Sequence, residues 1–181
     1  MIDFRGWQIA WGSPIIRAHV ERYSADYLHR LLVHSQLSTA AGNALLQLLL
    51  ENADWTGIGD AGGLRGSVTA GSFYIGLNTA SPGVGGNQTT NEISYTGYAR
   101  VAVARSTSGW TATGLSSVND AAITFGQMTG GTGGTVTHSH LGTGSSGTGA
   151  LVLFDAVDAS VAVATNSIPE FAAGALTVTA A

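Results

Sequence analysis

The positions whose residue types and spacing bear on chemistry are two histidines, 138 and 140, two aspartates, 155 and 158, one G-x-G-x-x-G run and a tryptophan set among small polar residues. In Val136-Thr137-His138-Ser139-His140 the imidazoles stand at i and i+2, so on a strand both reach toward one point. Two imidazoles leave a metal's coordination sphere open. Three chains meeting on a threefold axis would supply two each, enough for an octahedral site that pins a trimer. No acidic residue lies adjacent to orient the rings. The plainer reading has Val136, His138 and His140 lining one sheet face and bonding to backbone or water.

Asp155 and Asp158 stand at the spacing of a candidate carboxylate pair for glycoside hydrolysis. Turn chemistry explains them more simply: Phe154-Asp155-Ala156-Val157-Asp158-Ala159 reads as a connection between two short strands, with aspartate bonding to local backbone. Gly57-Ile58-Gly59-Asp60-Ala61-Gly62 fits a dinucleotide fingerprint in letters only. That fingerprint follows a strand and opens a helix, whereas here a helical segment precedes and a loop follows. No G-x-S-x-G elbow occurs, and the histidines fall into two separate groups, His19, His29 and His34 against His138 and His140. Trp110, between Ser108-Gly109 and Thr111, is the candidate ligand contact, an indole at a hairpin tip able to stack on a sugar ring; core packing is its competing role.

Composition narrows the chemistry further. The 181 residues contain no cysteine, which removes thiol nucleophiles, thiolate metal sites and disulfides together. All seven cationic residues are arginine, so lysine Schiff-base chemistry and the phosphate-loop lysine are excluded. Charged residues make up 10% of the chain, against about 25% in ordinary domains. The net charge of −4 leaves no basic stripe for nucleic acid. No apolar run is long enough to insert in a membrane, and no secretory leader pattern opens the chain, which reads as made in the cytosol.

Two regions must position these residues. Residues 1–37 contain Arg5, Arg17, Arg22 and Arg30 against Asp3, Glu21 and Asp26, about +1, leaving −5 for residues 38–181. The first 23 alternate loosely between apolar and polar side chains and are interrupted by Gly6, Gly12 and Pro14, as in an extended arm. Phe4, Trp7, Trp11, Ile15 and Ile16 make that arm too apolar to stay free in water, so it packs on its own domain or on a neighbouring chain. Tyr27, Leu28, Leu31 and Leu32 then recur at helical spacing behind Ser24. A second, leucine-rich helix is expected from Ser38 to Asn52, weakened at Gly42.

After Trp55 the pattern turns to β. Phe73, Ile75 and Leu77 alternate with smaller residues, and further strands are expected near 93–105, 121–126, 135–141, 150–156, 160–164 and 174–179. Glycine-rich loops separate them, at intervals that suit an antiparallel sandwich or barrel. The expected fold is therefore mainly β, a jelly-roll-like antiparallel β-sandwich with one or two N-terminal helices and an extended arm.

The order of the segments AGNALLQLLLENADW, FYIGLNTASPG, EISYTGYARVAVAR, AAITFGQ, GGTVTHSHLGTGSSGTGALVLFDA and IPEFAAGALTVT resembles a family of small virion proteins of tailed bacteriophages, the tail-fibre or minor tail proteins. The likeness covers about residues 40–181 and is strongest over 97–103 and 171–179; His140 departs from it. It implies a structural role in the virion, with no catalytic residues, no cofactor and no nucleic acid. It further implies other phage virion proteins as partners, with a homo-oligomer, a trimer by preference. Capsid decoration and a receptor- or carbohydrate-binding module are the alternatives.

Overall fold

The Ser38 hydroxyl accepts from the Ala41 backbone N–H at 3.2 Å and caps helix α1, Thr39–Leu46. The computed structural model describes residues 37–59 and 63–180. The arm residues Phe4, Trp7, Trp11, Ile15 and Ile16, the helix expected around Tyr27–Leu32 and the last three residues of the G-x-G-x-x-G run, Asp60-Ala61-Gly62, lie outside these residues.

α1 continues as a π-helical turn, Gln47–Glu51, and stops at Asn52, whose φ of 59° is left-handed. Gly42 is a packing device here. A Cβ at this position would collide with Leu115, so its absence lets the helix press against the turn between the third and fourth strands. Leu46 and Leu50 are thereby buried. The C-terminal carbonyls of Leu48 and Leu49 accept from Arg105 at 2.9 and 2.7 Å, a cation placed where the helix dipole is negative.

Nine strands follow among the described residues: β1 Ser72–Asn78, β2 Val101–Ala104, β3 Trp110–Thr113, β4 Ser116–Asn119, β5 Ile123–Thr124, β6 Gly134–Gly142, β7 Leu151–Val163, β8 Glu170–Phe171 and β9 Thr177–Thr179. They form antiparallel sheets in the orders β2-β1-β6-β7, β3-β4-β9 and β5-β8. The architecture is the expected mainly-β, antiparallel sandwich type. It has sheets of four, three and two strands rather than the paired four-stranded sheets of a full jelly roll. A single apolar core joins Leu46 and Leu50 to Phe73, Ile75, Leu77, Trp110, Phe125, Met128, Leu141 and Val163. Each such fully buried side chain contributes about 1.5–3 kcal/mol relative to exposure.

Three local expectations change. The strand expected over 93–105 is reduced to Val101–Ala104, because Gly97 adopts a φ of 105° and the chain turns there. A Cβ on Gly97 would meet the Gln127 carbonyl, and one on Gly126 would meet the Gly97 carbonyl, so the two backbones pass in direct contact. The segments expected as two strands over 150–164 form one, β7. Between the pairs Val136↔Val161 and His138↔Ala156, β6 advances two residues while β7 takes five, a bulge that absorbs the extra length. Asp155, paired with Ser139, and Asp158, inside the bulge, therefore lie within a strand, not in a turn between strands. Lastly, Trp110 opens β3 opposite Asn119 and is not at a hairpin tip.

Candidate functional site: a closed polar face and an open acidic groove

Alternation along β6 sends His140 to one side of the four-stranded sheet and Ser139 and Leu141 to the other. The two sides have opposite chemistry.

On the His140 side, its partner across β1 is Gly76, where a Cβ would overlap the imidazole ring, so glycine makes the room that the ring fills. His140 Nδ1 bonds the Asn78 side-chain oxygen at 2.7 Å, and Nε2 lies 3.5 Å from the Gln88 amide nitrogen. This network assigns the proton to Nδ1 and leaves Nε2 to accept. Burial pushes the His140 pKa down to about 4, so the ring is neutral at physiological pH. Asn78 passes the bonding on to the Thr90 carbonyl at 3.0 Å. Gln88 closes on Gly144, accepting from its N–H at 2.7 Å and donating to its carbonyl at 3.2 Å.

Gly144 is also held by Arg100. The guanidinium donates to both oxygens of Glu92 at 2.7 Å, to the Gly144 carbonyl at 2.9 Å and to the Gly147 carbonyl at 2.9 Å. The Arg100 side chain is only 2% exposed, so the pair is a buried one whose desolvation is offset by these further bonds. Tyr98 completes the set, donating to Glu92 at 2.8 Å and accepting from the Leu77 N–H at 3.0 Å. Its phenol pKa is raised, first by burial, which keeps the proton in place. The network fixes the glycine- and serine-rich loop 143–150 to the sheet. Sequence reasoning singled out the stretch 97–103 but assigned Arg100 no role. The available signal was an arginine on either side of Val-Ala-Val-Ala in a region with few charges.

On the other side, a groove of about 690 Å3 runs between β6–β7 and the β8–β9 segment. Its floor is apolar, with Leu77, Val136, Val157, Phe171 and Leu176. Asp155, Asp158 and Glu170 line it, and among the described residues no cationic side chain does. Asp155 accepts from the Ala156 N–H at 2.7 Å, and Glu170 from the Thr124 hydroxyl at 2.6 Å.

The structure corrects two readings of candidate residues. Trp110 is 0% exposed, so its indole faces the core and is not available for stacking on a sugar. Its small polar neighbours belong to the surface of β3, while the indole closes the interior beneath α1. His138 and His140 do not form an axial metal site in this fold, because His140 is 2% exposed and both its ring nitrogens are engaged inside the chain. His138 Nδ1 bonds the neighbouring Thr137 hydroxyl at 2.9 Å. Among the described residues no cluster of three or more His, Asp or Glu side chains is arranged to hold a metal ion. No helix among them is long and apolar enough to cross a membrane.

The segment 171–179 is equally architectural. Asn119, 1% exposed, donates to the carbonyls of Ala121 and Ala172 at 2.8 and 2.9 Å and accepts from the Leu176 N–H at 2.8 Å. It thus folds Phe-Ala-Ala-Gly-Ala-Leu against β4. The segments that carry the phage resemblance are spent on holding backbone. No curated protein matches this chain. A family model described as Podophage GP4 fiber I protein gp80 matches residues 36–179, most of the chain and nearly all of the described fold. The chain belongs to this phage tail-fibre family.

Proposed function

We propose that this protein is a non-enzymatic structural subunit of a phage tail fibre, an adaptor that packs through residues 1–37 on neighbouring virion subunits. Membership of a fibre family implies a place in the virion and contact with other virion proteins. The observation that supports the structural reading best is the use made of the motif residues. Gly97, Arg100, Asn119 and Gly144 hold one backbone segment to another, and their polar groups are turned inward. Outside the acidic groove, the surface left by this arrangement is sparse in charge and rich in Thr, Ser, Ala and Gly, which packs against like surfaces without stranding unpaired charges.

Assembly as a homo-oligomer, a trimer by preference, belongs to the same reading. Capsid decoration would use the same module at another position on the particle. The carbohydrate-binding alternative has lost its motivating residue with the burial of Trp110. Deleting residues 1–37 is expected to leave a folded β domain that is no longer incorporated into particles. Incorporation at the normal level, measured by protein composition of purified virions, would overturn the adaptor role.

A further inference from the structure

We infer that the acidic groove beside β7 is a socket for residues 5–17 of a neighbouring copy of this chain, seated in extended form. This deepens the assembly role of residues 1–37 by naming what one copy's arm grips.

The groove meets the requirements of such a socket. At about 690 Å3 it falls within the range of about 300–1,000 Å3 typical of binding clefts. Its floor of Leu77, Val136, Val157, Phe171 and Leu176 offers apolar contact, and Val161 and Ile168 at its margin are 50% and 55% exposed. β7 is the outer strand of its sheet and, among the described residues, pairs only with β6. Its other edge offers backbone N–H and C=O groups that an added extended segment can satisfy.

Charge selects the occupant. Three carboxylates, Asp155, Asp158 and Glu170, line the groove with no cationic neighbour among the described residues. Two copies pairing β7 to β7 would bring Asp155 and Asp158 against their own kind, which opposes that arrangement. A cationic apolar segment fits instead. Four of the seven arginines, Arg5, Arg17, Arg22 and Arg30, fall within residues 1–37. In extended form Trp7, Ile9 and Trp11 share one face, opposite Gly6, Gln8 and Ala10. Arg5 and Arg17 flank this apolar face, so the aromatics can seat on the floor with the guanidinium groups near the carboxylates.

The absence of cysteine from the chain makes the test direct. Two full-length variants, Ser13→Cys and Ala159→Cys, are mixed and mildly oxidised; Ser13 follows Trp7, Ile9 and Trp11 on the same face of the extended segment. Ala159 is exposed and lines the groove. The expected product is a disulfide-linked pair containing one of each variant, identified by mass, at about tenfold the yield seen with either variant alone. Adding Asp155→Asn and Asp158→Asn to the Ala159→Cys chain is expected to cut that yield about tenfold, as is raising the salt to about 1 M. No mixed pair, or a yield indifferent to the two asparagines, would overturn the inference. So would a chain carrying both cysteines that closes on itself at every dilution, since the arm would then strap its own copy. If the cross-link is absent while deletion of residues 1–37 still abolishes incorporation, this inference falls and the adaptor role stands.

Discussion

The two sides of β6 handle polar groups in opposite ways. On the His140 side, Asn78, Gln88, Glu92, Tyr98, Arg100 and His140 are packed together, and each has a partner within the chain. On the Ser139 side, three carboxylates face an open groove with only local backbone and hydroxyl contacts. A polar group whose partners are internal stabilises the fold and leaves nothing for another molecule. A charge with no counter-ion among the described residues is available to a partner, and this separates architecture from interface within the domain.

The sharpest way to break the comparison is to remove one member of the closed network. Glu92→Ala leaves the Arg100 guanidinium buried without its carboxylate and is expected to destabilise the domain by about 3–5 kcal/mol in denaturant unfolding. A loss under about 1 kcal/mol would mean that the pair is hydrated in solution and the closed face is not closed.

A smaller effect is expected from pH. The folded domain holds the His140 pKa near 4, below its ordinary value of 6.5, so between those values the unfolded chain binds more protons than the folded one. Stability should therefore fall as pH drops from about 6.5 toward 4, with the loss complete below the folded value. In His140→Gln this part of the slope should disappear. Parallel unfolding curves for the two proteins across that window would show that the ring is accessible to solvent protons in the folded state.

The smallest effect belongs to the open side. Asp155→Asn combined with Asp158→Asn should change stability by no more than about 0.5 kcal/mol, because both side chains are exposed and neither holds a distant part of the chain. A larger loss would make these carboxylates part of the fold and erase the contrast.

How far the sequence reveals this molecule depends on the range of the interactions involved. The alternation of Phe73, Ile75 and Leu77 and the pattern over 135–141 read directly as strands, since period-two alternation of side-chain type is written in consecutive residues. The leucine-rich helix was legible as a run of leucines between Ser38 and Asn52, and the structure adds that Ser38 caps it. Trp110 was not, because its polar neighbours describe only exposed positions, whereas the indole joins a core assembled from distant parts of the chain. The segment with Asp155 and Asp158 resembles a turn because β7 leaves regular pairing after Ala156; only the pairing with β6 shows that the strand runs through both.

By itself the sequence determined the β class, the helix, the division in charge between residues 1–37 and 38–181, and the kinship with phage fibre proteins. Those follow from local periodicity, composition and the order of short motifs. The tertiary structure decided which polar residues are free. His140 meets Asn78 across 62 positions and Gln88 across 52, and Arg100 reaches Gly144 across 44. A side chain's partner at such separations is set by sheet pairing and loop closure, which no local pattern encodes. The same pairing left three carboxylates facing a groove, and their charge is the part of the domain still open to another chain.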